Sequence, residues 1–325
     1  MNSHLRERHN LLKYRNLFRH LRFLGSVKIM SNIRNFTELF LLPSLAAILP
    51  WSLCFRLFHR LVRLKSLYRG ETAATLAGVA SITPVADSKA WSEAIRMVRL
   101  VDHADLYLSM FRSDAWLRRH VTVMGDWPEG NKPFVAITFH WGAGQWALRH
   151  MRAQGRKVSV LVRGVEKDTF PGNKLCYWYA KLRLREIARA GGSEIVRTGK
   201  SGLYEMKSKL KAGNCVVGLM DVPLERPRNY LTARLLGRTA YFPRGLSYLA
   251  ANSGVPVVVY SMRLDRQSGR RKLVISPPLN FKNEDELIEK LASRLNELID
   301  IDSPAWHQWG GVQSFFQKGE GIEHT

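Results

Sequence analysis

The chain has 325 residues, 46% of them hydrophobic and 24% charged, which suits a globular protein with a sizeable core. Fifty lysines and arginines against 27 acidic residues leave a formal charge of +23, which implies an anionic partner: nucleic acid, an acidic membrane surface or an acidic protein. Cys54, Cys176 and Cys215 are far apart, which excludes a disulfide framework or cysteine-rich zinc site, and with no zinc-finger, RNP-like or basic-zipper pattern the nucleic-acid reading has charge alone behind it.

Residues 1–36 carry eight basic residues against one glutamate, with Leu11, Leu17, Leu21 and Leu24 at roughly helical spacing. Such a segment reads as a basic amphipathic helix at a membrane surface or as a basic tail. Within residues 37–70, Leu39 to Phe55 is uncharged over 17 residues, the lower limit for a spanning helix, and Pro43 and Pro50 interrupt it. Basic flanks on both sides suit an anchor in the anionic inner leaflet, peripheral or single-span; a buried core helix is the alternative. No signal peptide with an A-x-A cleavage site is expected, and a reducing, cytoplasmic-face location follows.

Residues 71–325 read as one α/β domain. Positions 71–85 are small and loop-like, and Ser88 to Trp116 has helical periodicity. Phe134-Val-Ala-Ile-Thr-Phe-His140 then forms an apolar run of the kind found in a strand buried on both faces. Gly142 and Gly144 follow, predicting a sharp turn into a helix to about Gln154. Strands are expected at 158–162, 194–197, 215–220, 255–262 and 273–276, and helices at 173–190, 201–211, 246–252 and 283–299. This alternation predicts a mixed, largely parallel sheet flanked by helices. His140 would then sit at a strand's carboxyl end, where open α/β sheets place their ligands.

His140-Trp-Gly-Ala-Gly-Gln145 resembles the His-x4-acid signature of glycerolipid-type acyltransferases, most closely the lipid A lauroyl/myristoyl branch. Further likenesses follow in order: Gly199 to Gly213, Gly218-Leu-Met-Asp221-Val-Pro, Leu236-Gly-Arg-Thr-Ala…Pro243, Gly254-Val-Pro-Val-Val and Pro304-Ala-Trp306-His-Gln-Trp309. Together they cover roughly residues 38–316. The resemblance implies a glycerolipid-acyltransferase-like fold on the cytoplasmic face of a bacterial inner membrane. It implies transfer of a fatty acyl group from an acyl carrier protein thioester, or from coenzyme A, to a hydroxyl of a lipid A-type or other glycolipid acceptor. A related enzyme with another acceptor, such as an amine or a lipid-linked pigment, and a non-catalytic lipid-binding protein are the alternatives. No metal or redox cofactor is implied, and no nucleic acid is expected as a partner.

Acyl transfer to a hydroxyl needs a general base, and neutral imidazole suits that task near pH 7 if a partner orients it. His140 is the candidate base. Position 145 is glutamine where the resembling family has a carboxylate. Three readings stay open: Gln145 orients the ring weakly, Asp221 or Glu225 supplies the charge, or the chain binds lipid with most activity lost. Arg163, Arg197 and Arg244, near predicted strand ends, are candidate phosphate contacts, as are Lys200, Arg226 and Arg228. Trp141 and Gly142 adjoin the base as candidate substrate contacts, and Trp141, Trp146 and Tyr177-Trp178-Tyr179 are candidates to line an acyl slot.

Overall fold

The computed structural model describes residues 30–130, 132–142, 144–199, 201–223 and 229–317. The basic segment before residue 30 and the candidates Lys200, Glu225, Arg226 and Arg228 lie outside the described residues.

Among the described residues nine strands form: β1 (Val121–Met124), β2 (Val135–Thr138), β3 (Val158–Val162), β4 (Val196–Arg197), β5 (Cys215–Leu219), β6 (Tyr230–Leu235), β7 (Arg238–Pro243), β8 (Val257–Leu264) and β9 (Arg271–Ile275). Seven of them make one sheet in the order β1-β9-β8-β2-β5-β3-β4, and β6 and β7 pair apart from it as an antiparallel hairpin. The five strands from β8 to β4 run parallel. At the other edge β9 is antiparallel to β8 and carries β1 parallel to itself. The sheet is thus mixed and mostly parallel, as the alternation of apolar runs and helical segments predicts.

Among the described residues helices flank it: a helical stretch over residues 30–36, then α1 (Leu42–Ile48), α2 (Trp51–Leu61), α3 (Arg69–Ala80), α4 (Ser88–Phe111), α5 (Asp114–His120), α6 (Gly144–Ala153), α7 (Lys174–Gly191), α8 (Gly202–Lys211), α9 (Arg244–Ala251) and α10 (Glu284–Asp302). Alternate residues of the central strand point to opposite faces. Phe134 and Ala136 join a core built with α2, α4 and α6, whereas Val135 and Ile137 join a second core built with α8, α9, α10 and the closing segment at Trp306, Trp309 and Phe315. Burial on both faces explains why this strand reads as a continuous apolar run. Side chains cap the helix starts: Asp87 accepts from Ala90, Asn173 from Cys176 and Asn283 from Glu286. At α10 the returning Glu286 carboxylate meets the Lys282 amide rather than that of Asn283.

Four expectations are corrected. The apolar run Leu39–Phe55 is helical on both sides of one break, starting in a π-helical turn (Thr37–Leu41) that leads into α1, because Leu49 turns extended before Pro50, whose ring clashes with a preceding helical residue. Among the described residues no helix is long and apolar enough to cross a membrane. Residues 71–85 are mostly helix α3, not loop. Their small side chains serve close packing: a Cβ on Gly78 would stand 1.8 Å from the Trp309 carbonyl oxygen. The 88–116 helix breaks at Arg112, and Ser113 caps the short α5 that follows. The short strand β1 and the β6–β7 hairpin lay outside the expected elements.

Candidate active site

β2 and β5 lie side by side, with Thr138 opposite Leu219. Beyond β2 the chain crosses through α6 to β3; beyond β5 it crosses through the hairpin and α9 to β8. The two connections run to opposite faces and in opposite directions along the sheet. Adjacent strand ends with diverging connections open a crevice at the sheet's carboxyl edge. Two residues past the last ladder pair, the same register brings His140 beside Asp221.

Asp221 is fully buried, whereas the His140 side chain is 37% exposed. Both carboxylate oxygens accept the His140 backbone N–H at 2.9 Å. Asp221 Oδ1 lies 3.0 Å from His140 Nδ1, and the Asp221 carbonyl oxygen lies 3.1 Å from the same nitrogen. The Trp306 indole donates to Asp221 Oδ2 at 2.8 Å. A buried carboxylate with three donors around it is fixed in orientation. His140 Nε2 has no hydrogen-bond partner among the described residues. The dyad therefore holds one ring nitrogen and leaves the other without a partner among the described residues, the arrangement a general base requires.

Burial pulls the His140 pKa down, but the Asp221 charge and hydrogen bonds more than reverse this, against some opposition from the Arg183 guanidinium. The net displacement is upward from 6.5. Any activity needing the neutral ring will therefore rise with pH through a midpoint above 6.5, and Asp221→Asn will move that midpoint down. A pH–rate profile of both proteins checks the sign.

The other candidates separate. Gln145 lies in the first turn of α6, is buried, and has neither amide atom hydrogen-bonded, so it is not the orienter; Asp221 takes that place. The inward rotation of the first turn carries position 145 into the core, while the strand register supplies the neighbouring carboxylate. Trp141 is buried and forms an isolated bridge with Trp306. Gly142 has φ +63°, and a Cβ there would meet the Met262 carbonyl oxygen at 2.2 Å, so the turn after His140 requires glycine. Arg163 follows β3 and Arg197 ends β4 on the same sheet edge, two and three strands from His140, or roughly 10 and 15 Å at ordinary strand spacing. Arg197 is exposed and 3.5 Å from Glu166. Arg244 is engaged by Glu284 through two hydrogen bonds.

The aromatic candidates do not gather at one site: Trp146, Trp141 and Tyr179 fall in three separate cores. Trp146 and Tyr179 are core residues, Tyr179 bound to His103, while Trp178 is exposed. A water-sized cavity of about 20 Å³ abuts Trp141 and Gly142. The larger one, about 410 Å³, lies between α5, β1 and α6; His140 lines neither. Trp306 and Gln308 are site residues that no chemical pattern singled out, although the Pro304…Trp309 motif contains both. Among the described residues there is no cluster of three or more potential metal ligands.

No protein-family model matches the chain, and no curated protein matches it significantly.

Proposed function

We propose that this chain is a membrane-surface acyltransferase that moves a fatty acyl group from a thioester of acyl carrier protein or coenzyme A to a hydroxyl of a lipid acceptor, of the lipid A or another glycolipid class. The observation that carries the reading is the His140 ring, held by a buried Asp221 at a sheet crevice, with no partner for Nε2 among the described residues. In the reaction Nε2 takes the hydroxyl proton as the oxygen attacks the thioester carbonyl. The resulting imidazolium is stabilised by Asp221, and its proton passes to the departing thiolate. First-turn amides of α6, which have no partner within the helix, would receive the charge on the carbonyl oxygen. The ordered resemblances between residues 38 and 316 support the same reaction class, and the surface position of the ring suits an acceptor presented by a bilayer.

A second set of contacts supports the membrane surface. Ile33, Phe36, Leu41, Ile48, Leu53 and Leu64 are exposed along the N-terminal helices, with Arg56, Arg60 and Arg63 exposed among them. An apolar and cationic face of this kind suits the boundary of an anionic bilayer. At roughly 1 kcal/mol for each basic residue near such a surface, reversing the three arginines to glutamate should weaken binding to vesicles rich in anionic lipid by ~100-fold or more. Co-sedimentation measures this, and unchanged binding would place the membrane contact elsewhere.

The direct test incubates the protein with acyl carrier protein and coenzyme A thioesters and with lipid extract in vesicles, followed by mass spectrometry of the lipids. A thioester-dependent acylated lipid is expected. Thioester and lipid both recovered unchanged, across chain lengths and acceptors, would overturn the proposal in favour of lipid binding alone.

A further inference from the structure

Three consecutive residues of the closing segment touch the dyad. Trp306 donates its indole N–H to Asp221 Oδ2 at 2.8 Å. His307 donates its backbone N–H to the His140 carbonyl oxygen at 3.0 Å. Gln308 sets its carboxamide nitrogen, as the amide is placed, 2.8 Å from His140 Nδ1. The segment is itself fixed. Trp306 bridges to Trp141 and packs on Trp309 and Phe315, and Arg99 donates to the His307 carbonyl oxygen at 3.1 Å.

His140 Nδ1 thus faces the Asp221 carboxylate, the Asp221 carbonyl oxygen and an amide. The first two groups can only accept, so Nδ1 carries the ring proton in the neutral state. A side-chain amide offers oxygen or nitrogen by half a turn about its last bond, and beside an N–H the oxygen belongs there. With the amide turned the other way, its NH₂ would favour the opposite tautomer, whose Nε2 carries the proton and cannot act as a base.

From these contacts we infer that Trp306 and Gln308 are positioning residues of the site: Gln308 Oε1 joins Asp221 in holding Nδ1–H, and Trp306 holds the carboxylate that orients the ring. The catalytic meaning rests on the proposal that His140 is the base of an acyl transfer. Tautomer and titration do not, and they can be read with no substrate present. The two contacts have opposite electrostatic signs. Losing the Gln308 acceptor destabilises the imidazolium. Losing the Trp306 donor leaves more charge on Asp221 and stabilises it.

The experiment is long-range proton–nitrogen NMR of the full chain labelled at histidine nitrogens, with the His140 signals assigned by their loss in His140→Gln. The parent is expected to be protonated at Nδ1 in its neutral state. Gln308→Leu should lower the His140 titration midpoint by about one pH unit and populate the other tautomer; Gln308→Glu should raise the midpoint by about as much. Trp306→Phe should also raise it. Gln308 is only half-buried, so its two variants give a result even where Trp306→Phe disturbs packing. A parent protonated at Nε2, or a midpoint that neither Gln308 variant moves, would overturn the inference. The expected NMR pattern in a protein that transfers no acyl group would uphold the positioning and remove the acyltransferase proposal alone.

Discussion

Asp221→Asn is expected to lower acyl-transfer turnover by ~10⁴ while leaving the protein folded, the loss seen when a triad aspartate is neutralised. The carboxylate accepts the His140 N–H on both oxygens, lies 3.0 Å from the ring nitrogen and accepts the Trp306 indole N–H. Asparagine matches its shape but turns one acceptor into a donor. Facing Nδ1, that donor selects the tautomer with Nε2–H; turned away, it confronts the Trp306 donor. In either orientation the charge opposite the imidazolium is gone. Gln145→Glu in the same background should restore nothing, because the side chain at 145 is buried without a bond to His140. Turnover of Asp221→Asn within tenfold of the parent would show that the carboxylate does not serve the ring. Circular dichroism and thermal melting of the variant separate this from loss of fold.

Arg271→Ala is expected to have the largest effect on stability. Arg271 is 1% exposed and paired with the equally buried Asp105 of α4. Its guanidinium lies over the Trp51 ring at 4.0 Å and the Trp146 ring at 4.8 Å, and it donates to the Gly269 carbonyl oxygen at 2.7 Å. One cation thus joins α2, α4, α6 and β9. Removing one partner of a buried ion pair costs about 3–5 kcal/mol, because the other is left without compensation. That is a large share of the roughly 5–15 kcal/mol of a typical domain. Urea denaturation should show the loss, with α2 loosened first because Trp51 loses its stacking partner. The double variant Arg271→Met with Asp105→Leu should recover most of the stability, since apolar replacement of a whole buried pair is often neutral or better. A double variant as unstable as Arg271→Ala would assign the effect to packing instead of charge.

The sequence was most legible where burial is uniform. β2, β3, β5 and β8 are apolar because both faces are covered or nearly so, and that signal depends on no distant contact. Helix starts were legible where a side chain caps them, as at Asn283. Helix α3 was not, because the small residues that seat it against Trp309 and Gly310 are also those of loops. The run from Leu39 to Phe55 showed its hydrophobicity but not its destination: one side of α1 and α2 is core and the other is exposed, a division set by α4 lying across them. At the site, His140 and its glycine turn could be read locally. Its orienter could not be chosen between Gln145 and Asp221, since the choice depends on strand order and places two residues 81 positions apart in direct contact. Gln308 was still harder to find, because a glutamine 168 positions from the histidine carries no pattern of its own.

The most direct test of His140 as the base is the initial rate of acyl transfer by His140→Gln and the parent, measured with labelled thioester and vesicle-borne acceptor at the parent's pH optimum. Glutamine preserves size and the backbone N–H held by Asp221 but cannot take a proton. A fall of at least ~10²-fold with unchanged vesicle binding is the result expected for loss of a general base. A His140→Gln protein that transfers acyl groups at the parent rate would contradict it.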